Sequence, residues 1–305
     1  MDRKGLIQNI LNSAILHQWH WFAPHFTPLK QGNESAFVQS LLDSLLIIGQ
    51  HLPKLPLTYL NRIASFSGKP YNIRQYEQLM QLLAEILILH QVMAYKWKRK
   101  IRFVWEPKSI LSNKGPELNL EGADYTIGIE VKSPSLLFHE NPKALNRNQE
   151  SIQPGKMPQF NPMENYLESA REKFSGFKQD ASNYFSLLVV VWDHLIHEPI
   201  SALLNPKFGI FRNSNSYPMV DAVILTQHRA LFGHFLKEPK QNYNSPILLD
   251  YGLPDTEPYK IIIANPDSQT SIPQDVIDCL QVEPPDQIPG EKYNPANQIP
   301  WREFH

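Results

Sequence analysis

One cysteine, Cys279, in 305 residues excludes an internal disulfide and any zinc site built mainly of thiolates. That usage fits a reducing cytoplasm. Neither sign of charge is in excess, with 29 Lys and Arg against 30 Asp and Glu, so a polyanion has to be met by a local patch rather than by the whole surface. Long apolar runs are missing too: LLAEILIL at 82–89 carries an acid, and SLLVVVW at 186–192 is far too short to span a bilayer. No amino-terminal signal segment, internal repeat or GxxxxGKS phosphate loop is visible. The expectation is a soluble cytoplasmic protein without membrane association. Its 42% hydrophobic content is enough to bury one large core or two modest ones.

What is present centres on Pro116–Pro134, PELNLEGADYTIGIEVKSP. Two segments, Glu117 to Glu121 and Tyr125 to Val131, alternate polar with apolar residues at the strand period, and Glu121 to Asp124 supply turn chemistry between them. Folding the hairpin about Ala123 and Asp124 sets Leu118 opposite Ile129 and Leu120 opposite Ile127 on one apolar face. The other face then carries Glu117 opposite Glu130, Asn119 opposite Gly128, and Lys132 two residues beyond Glu130. Facing carboxylates repel unless something positive lies between them, and hard Mg²⁺ or Mn²⁺ is the natural candidate.

The chain before the hairpin reads as mostly helical. Apolar residues recur at helical spacing from Gly5 to about Phe22, from Ser35 to Leu52, and from Asn72 to about Tyr95. His17, His20 and His25 suggest zinc, but no cysteine or spaced acid completes a ligand set, and aromatic packing is the favoured reading. Glu85 stands alone inside LLAEILIL, where a carboxylate has to be paired, protonated or facing a cation. In KWKRKIRFVW, Lys98 and Arg99 either grip phosphates or cap a helix end with favourable charge, and a strand follows.

After the hairpin, 135–161 reads as an insertion or lid and Met163–Asp180 as a helix with Leu167, Ala170, Phe174 and Phe177 on one stripe. SLLVVVWD is a central strand; VDAVILTQH and YKIIIANP are two more. Asp193, His194 and His197 lie just beyond the first of these, an H-x-x-H of poor metal specificity. The predicted organisation is a helical region at 1–70, an α/β core at 71–264 and a Pro-rich irregular tail at 265–305.

The order helix with Glu85, three strands, helix with Lys173, strand is αβββαβ. With Pro116-Glu117 and Glu130-Val131-Lys132 on the hairpin, it resembles the PD-(D/E)xK nuclease superfamily over roughly residues 72–194. The resemblance implies a restriction-endonuclease-like fold with a mixed central sheet and a metal-dependent hydrolase acting on phosphodiester bonds. In its terms Glu117 is the first acid, a place where Asp is commoner, Glu130 the second, Lys132 the water-positioning lysine and Glu85 the helix acid. Lys173 or Arg171 matches the basic residue that often follows. Nucleic acid is the implied partner, DNA ahead of RNA, in restriction or phage defence.

A carboxylate-held Mg²⁺ can supply both a nucleophilic water and charge stabilisation at a phosphodiester, with the Val131 carbonyl as a further oxygen. Asp124 competes with Glu117 as a ligand, but lies six residues before Glu130, about 20 Å along a strand. The alternative is a catalytically inactive protein of this fold that binds nucleic acid or protein. A homodimer, or a partner held by the amino-terminal helices, also fits.

Overall fold

The computed structural model describes residues 2–17, 20–66, 73–133, 162–180, 183–192, 197–206, 209–212, 217–227, 260–268 and 270–282. The expected insertion at 135–161, the Asp193 and His194 positions, the His197 side chain and the tail beyond 282 lie outside them. The chain forms two compact units, one of residues 1–96 and 228–258, the other of 97–227 and 259–305. The division falls after Lys96 rather than at residue 71, because the helix carrying Glu85 packs with the helices before it.

In the first unit the described helices are α1 (Arg3–Leu11), α2 (Ala23–Phe26), α3 (Ala36–His51), α4 (Leu55–Ser65) and α5 (Ile73–Ala94). The helix expected from Gly5 to Phe22 stops at Leu11, since Asn12 and Ser13 supply side chains that compete with the helical backbone. Ser13 instead caps a short 3₁₀ turn over Ala14–Leu16. The core of this unit is aromatic, with Phe22 stacked on Phe26 and edge-on to Phe37. His20 belongs to that packing: one ring nitrogen meets the Ile63 carbonyl at 2.8 Å and the other accepts the Phe22 N–H at 3.0 Å. His25 packs on Phe22 and Phe37, and burial lowers its pKa to about 4.

The second unit is an α/β layer built on an open, mixed six-stranded sheet: β1 (Arg102–Trp105), β2 (Leu118–Glu121), β3 (Thr126–Lys132), β4 (Tyr184–Trp192), β5 (Ala222–Gln227) and β6 (Lys260–Ala264). Spatial order equals chain order. β1, β2 and β3 form an antiparallel meander, β3, β4 and β5 run parallel, and β6 returns antiparallel. Each parallel step is bridged by a helix, α6 (Pro162–Asp180) before β4 and α7 (His197–Leu204) before β5. The continuous apolar run of β4 is buried along its whole length, as a central strand covered on both faces requires. Met163, Leu167, Ala170 and Phe174 of α6 join Tyr184, Leu188, Val190 and Trp192 of β4 in one core cluster.

The hairpin register is the expected one: Leu118 pairs with Ile129, Asn119 with Gly128, Leu120 with Ile127 and Glu121 with Thr126. The tail departs from expectation. Gln274–Leu280 form α8, whose Val276, Cys279 and Leu280 are buried at helical spacing. Among the described residues no helix is long and apolar enough to cross a membrane.

Candidate active site at the end of the hairpin

Glu117 lies one residue before β2 and Glu130 near the end of β3, so the antiparallel register sets their side chains on the same face of the sheet. Glu130 is 0% exposed. Lys132, two residues on and therefore on the same face, brings its ammonium to 2.6 Å from Glu130 Oε1. Val131 points the other way, but its N–H is past the last β2 pairing and donates to Glu117 Oε2 at 2.9 Å.

Helix α6 closes this face. Lys173 follows Ala170 by three residues and borders the buried stripe, so its stem runs along the helix packing while its ammonium enters the site. Its Nζ lies 3.0 Å from Glu117 Oε1, 2.8 Å from Glu130 Oε2 and 2.6 Å from Glu130 Oε1. Two carboxylates and two ammoniums thus share one half-buried pocket. Glu130 Oε1 meets both ammoniums only in ion-pair contacts and has no well-aligned hydrogen bond.

The electrostatics separate the two acids. Burial, followed by the hydrogen bond and charge of Glu117, pushes Glu130 well above the ordinary carboxylate pKa against the pull of Lys132 and Lys173. Burial also presses Glu117 upward, but the hydrogen bond with Glu130, the two lysines and the Val131 N–H outweigh it and hold Glu117 low. Lys173 is held above its ordinary value: burial opposes its charge, and the two glutamates more than compensate. The two acids thus part in their hold on a proton, Glu130 keeping one to higher pH than Glu117.

The flank of the site is fixed by a residue that has no side chain. Tyr184 donates its hydroxyl hydrogen to buried Asn119 Oδ1 at 2.9 Å, passing over Gly128, where a Cβ would fall 1.8 Å from the hydroxyl oxygen. Phe174 packs over the same glycine. Neither Tyr184 nor Asn119 was marked by the sequence motifs; the Asn119–Gly128 pairing was the available signal, because glycine inside a strand marks close approach.

The remaining expected residues lie elsewhere. Asp124 sits in the β2–β3 turn, ion-paired with Arg99, and Asn183 caps its carbonyl at 2.9 Å. Arg99 is thereby engaged with a turn acid, Lys98 lies 3.9 Å from Asp278, and Arg171 pairs with Glu168 on the exposed side of α6. Lys173, expected to face nucleic acid, instead bridges the carboxylates. Val131 enters the site through its N–H. Glu85 belongs to the first unit, is buried, and meets Gln81 Nε2 at 3.2 Å and Arg62 Nη1 at 3.6 Å.

A third buried acid went unremarked in the sequence. Asp221, just before β5, accepts from the Ser186 N–H at 2.7 Å, Ser186 Oγ at 2.8 Å, Ser268 Oγ at 2.6 Å, Thr270 Oγ1 at 3.1 Å and Lys178 Nζ at 2.6 Å. Its acceptor capacity is filled, so it is a structural clamp between strands. Glu130 differs in the one respect that matters for ligand binding, an oxygen left without an aligned donor.

No protein-family model, curated protein or solved structure matches this chain. Any functional reading therefore rests on the side chains themselves.

Proposed function

We propose that this chain is a Mg²⁺-dependent phosphodiesterase, a DNA endonuclease of the restriction-endonuclease-like αβββαβ type, with Glu117, Glu130, Lys132 and Lys173 as its site. The supporting observation is the fully buried Glu130, whose Oε1 meets the two lysines only in ion-pair contacts, beside a second carboxylate, an all-oxygen donor set of the hardness Mg²⁺ selects. Manganese suits the same donors.

Glu117 Oε1 and the Glu130 oxygens would hold the ion, with the Val131 carbonyl as a further donor. When bound, the ion supplies Lewis acidity and a water of lowered pKa. Lys132, held by Glu130, would orient that water. Lys173, once released from the carboxylates, offers its ammonium to a phosphoryl oxygen as negative charge builds there. The lowered pKa of Glu117 favours its ionised, ligating form. Glu130, whose pKa is raised, would have to give up its proton to join Glu117 in holding the ion.

The test is to incubate the full chain with plasmid, linear and single-stranded DNA in Mg²⁺ or Mn²⁺, beside Glu130→Gln and Lys132→Ala. Cleavage by the native chain that falls at least about a hundredfold in both variants is expected. Cleavage that survives both rejects this site.

One observation favours a second reading. Two ammoniums already neutralise the two glutamates, a balanced arrangement that needs no metal to stand. On that reading the chain is a catalytically inactive member of the same fold that binds nucleic acid or protein. Calorimetry with millimolar Mg²⁺ separates the two, because only the first predicts uptake that is lost in Glu117→Ala.

A further inference from the structure

Between β1 and β2 the chain makes a tight loop that displays two aliphatic side chains to solvent: Ile110 is 97% exposed and Leu111 60% exposed. Single exposed aliphatics are ordinary; here two adjacent ones stand together at the tip of a well-tethered loop. The tethering is specific. The Ser109 N–H donates to the Lys114 carbonyl at 3.0 Å, the Asn113 N–H to the Ser109 carbonyl at 2.9 Å, and the Leu111 N–H to Ser109 Oγ at 3.1 Å. Asn113 takes the left-handed conformation that closes the turn, with φ of 52°.

Ser109 itself is buried and docks on α6 at Gly176, where a Cβ would lie 2.0 Å from Ser109 Oγ. Gly176 is three residues after Lys173, about 4.5 Å along the helix and on a neighbouring position of its surface. Lys114 adds a second tie, 2.6 Å from Glu172. At its other end the loop runs through Gly115 and Pro116 straight into Glu117. A rigid apolar tip is thereby fixed to the same helix and strand that build the site.

We infer that Ile110 and Leu111 form a wedge that enters a base step of duplex DNA beside the Glu117–Glu130 site. This choice of occupant rests on the phosphodiesterase reading and deepens it. The side chains favour a duplex: branched aliphatics part stacked base pairs, whereas single strands are held on aromatic platforms, and this tip has no aromatic residue. Lys108 flanks the pair on an exposed position, and Lys114 flanks it on the other side, where it would exchange Glu172 for a phosphate. Parting one step bends the duplex and brings its backbone toward surface it would otherwise miss.

The experiment uses the full chain and the double variant Ile110→Ser with Leu111→Ser, whose exposed positions leave folding intact, as circular dichroism can verify. Binding to a short duplex carrying 2-aminopurine is followed in Ca²⁺, by anisotropy for affinity and by fluorescence for unstacking. The native chain is expected to brighten 2-aminopurine and to bind about tenfold more tightly than the variant, about 1.4 kcal/mol. Mg²⁺ uptake and hydrolysis of bis(p-nitrophenyl) phosphate, which has no base stack, should be equal in the two.

Equal duplex affinity, no brightening, or no duplex binding at all overturns the wedge. So does a loss in the variant of self-association, or of binding to phosphatidylcholine vesicles, in place of a loss of DNA binding. Unstacking without Mg²⁺ uptake or phosphodiester hydrolysis leaves the wedge standing and removes the phosphodiesterase reading. Hydrolysis and uptake without unstacking does the reverse.

Discussion

Tyr184 on β4 reaches across β3 to donate its hydroxyl hydrogen to Asn119 on β2, a contact of 2.9 Å made possible by Gly128 between them. Gly128→Ala puts a methyl 1.8 Å from the hydroxyl oxygen, so the tyrosine has to move. The expected loss is about 1–3 kcal/mol from overpacking. Adding Tyr184→Phe removes the clashing oxygen, and the double variant should lose less than the two single changes together. Urea unfolding of the four proteins measures the coupling, and strict additivity would count against the contact.

The acid pair makes stability and metal affinity depend on pH. Glu130, raised chiefly by burial and then by Glu117, keeps its proton above the ordinary value of 4.5 at which the unfolded chain loses it. The folded state then binds more protons than the unfolded one, so its stabilising contribution is complete below that value and is lost as pH climbs through the raised pKa. Glu117 acts with the opposite sign in a more acidic window, its contribution present above the ordinary value and lost as pH falls through its lowered one. Thermal unfolding of the metal-free chain should show stability falling with pH above the ordinary carboxylate range relative to Glu130→Gln.

Mg²⁺ binding in the pH range where Glu130 keeps its proton should release that proton. Its apparent affinity then rises with pH across the window in which Glu130 titrates, and calorimetry in buffers of different ionisation enthalpy counts the protons released. Identical heats in all buffers would remove the Glu130 proton from the account.

Lys173→Met separates holding the ion from turning over substrate. Removing the ammonium that lies within 3.0 Å of both glutamates leaves the pocket one positive charge short. Mg²⁺ should bind about tenfold or more tightly, while duplex cleavage falls by about the same factor for want of a cation on the phosphoryl group. Parallel loss of affinity and activity would mean that Lys173 only supports the fold.

Asp221→Ala should damage the fold without touching the site. It strips the acceptor from Lys178, which has 14% of its side chain exposed, and from Ser186, Ser268 and Thr270. The expected cost is about 3–5 kcal/mol, read from urea unfolding. Mg²⁺ uptake by the protein that remains folded should be unchanged.

The hairpin was readable to the residue because period two and an apolar face leave one register that buries Leu118, Leu120, Ile127 and Ile129 together. The order of strands and helices followed for the same reason, each being a run of one clear period. What escaped depended on partners distant in the chain. Lys173 could not be told from Arg171 as the basic residue of the helix, because periodicity alone does not show that a lysine bordering a buried stripe faces two acids. Asp221 was invisible because its five donors come from 178, 186, 268 and 270. Helix α8 was hidden by its length, too short for a period to declare itself amid proline and glutamine. Asp124 reads correctly as a turn residue once strand rise is counted, and its partner Arg99 agrees.

Because the six strands stand in the sheet in the order in which they occur in the chain, the sheet can grow by one neighbour at a time as the polypeptide emerges from the ribosome. Before α6 emerges the meander is already out in full, ending at Lys132. At that moment Glu117 and Glu130 face each other with only Lys132 to balance them. Docking of α6 then brings the second ammonium and the lid of Phe174 together, so the nascent hairpin awaits a cation that arrives later on its own chain.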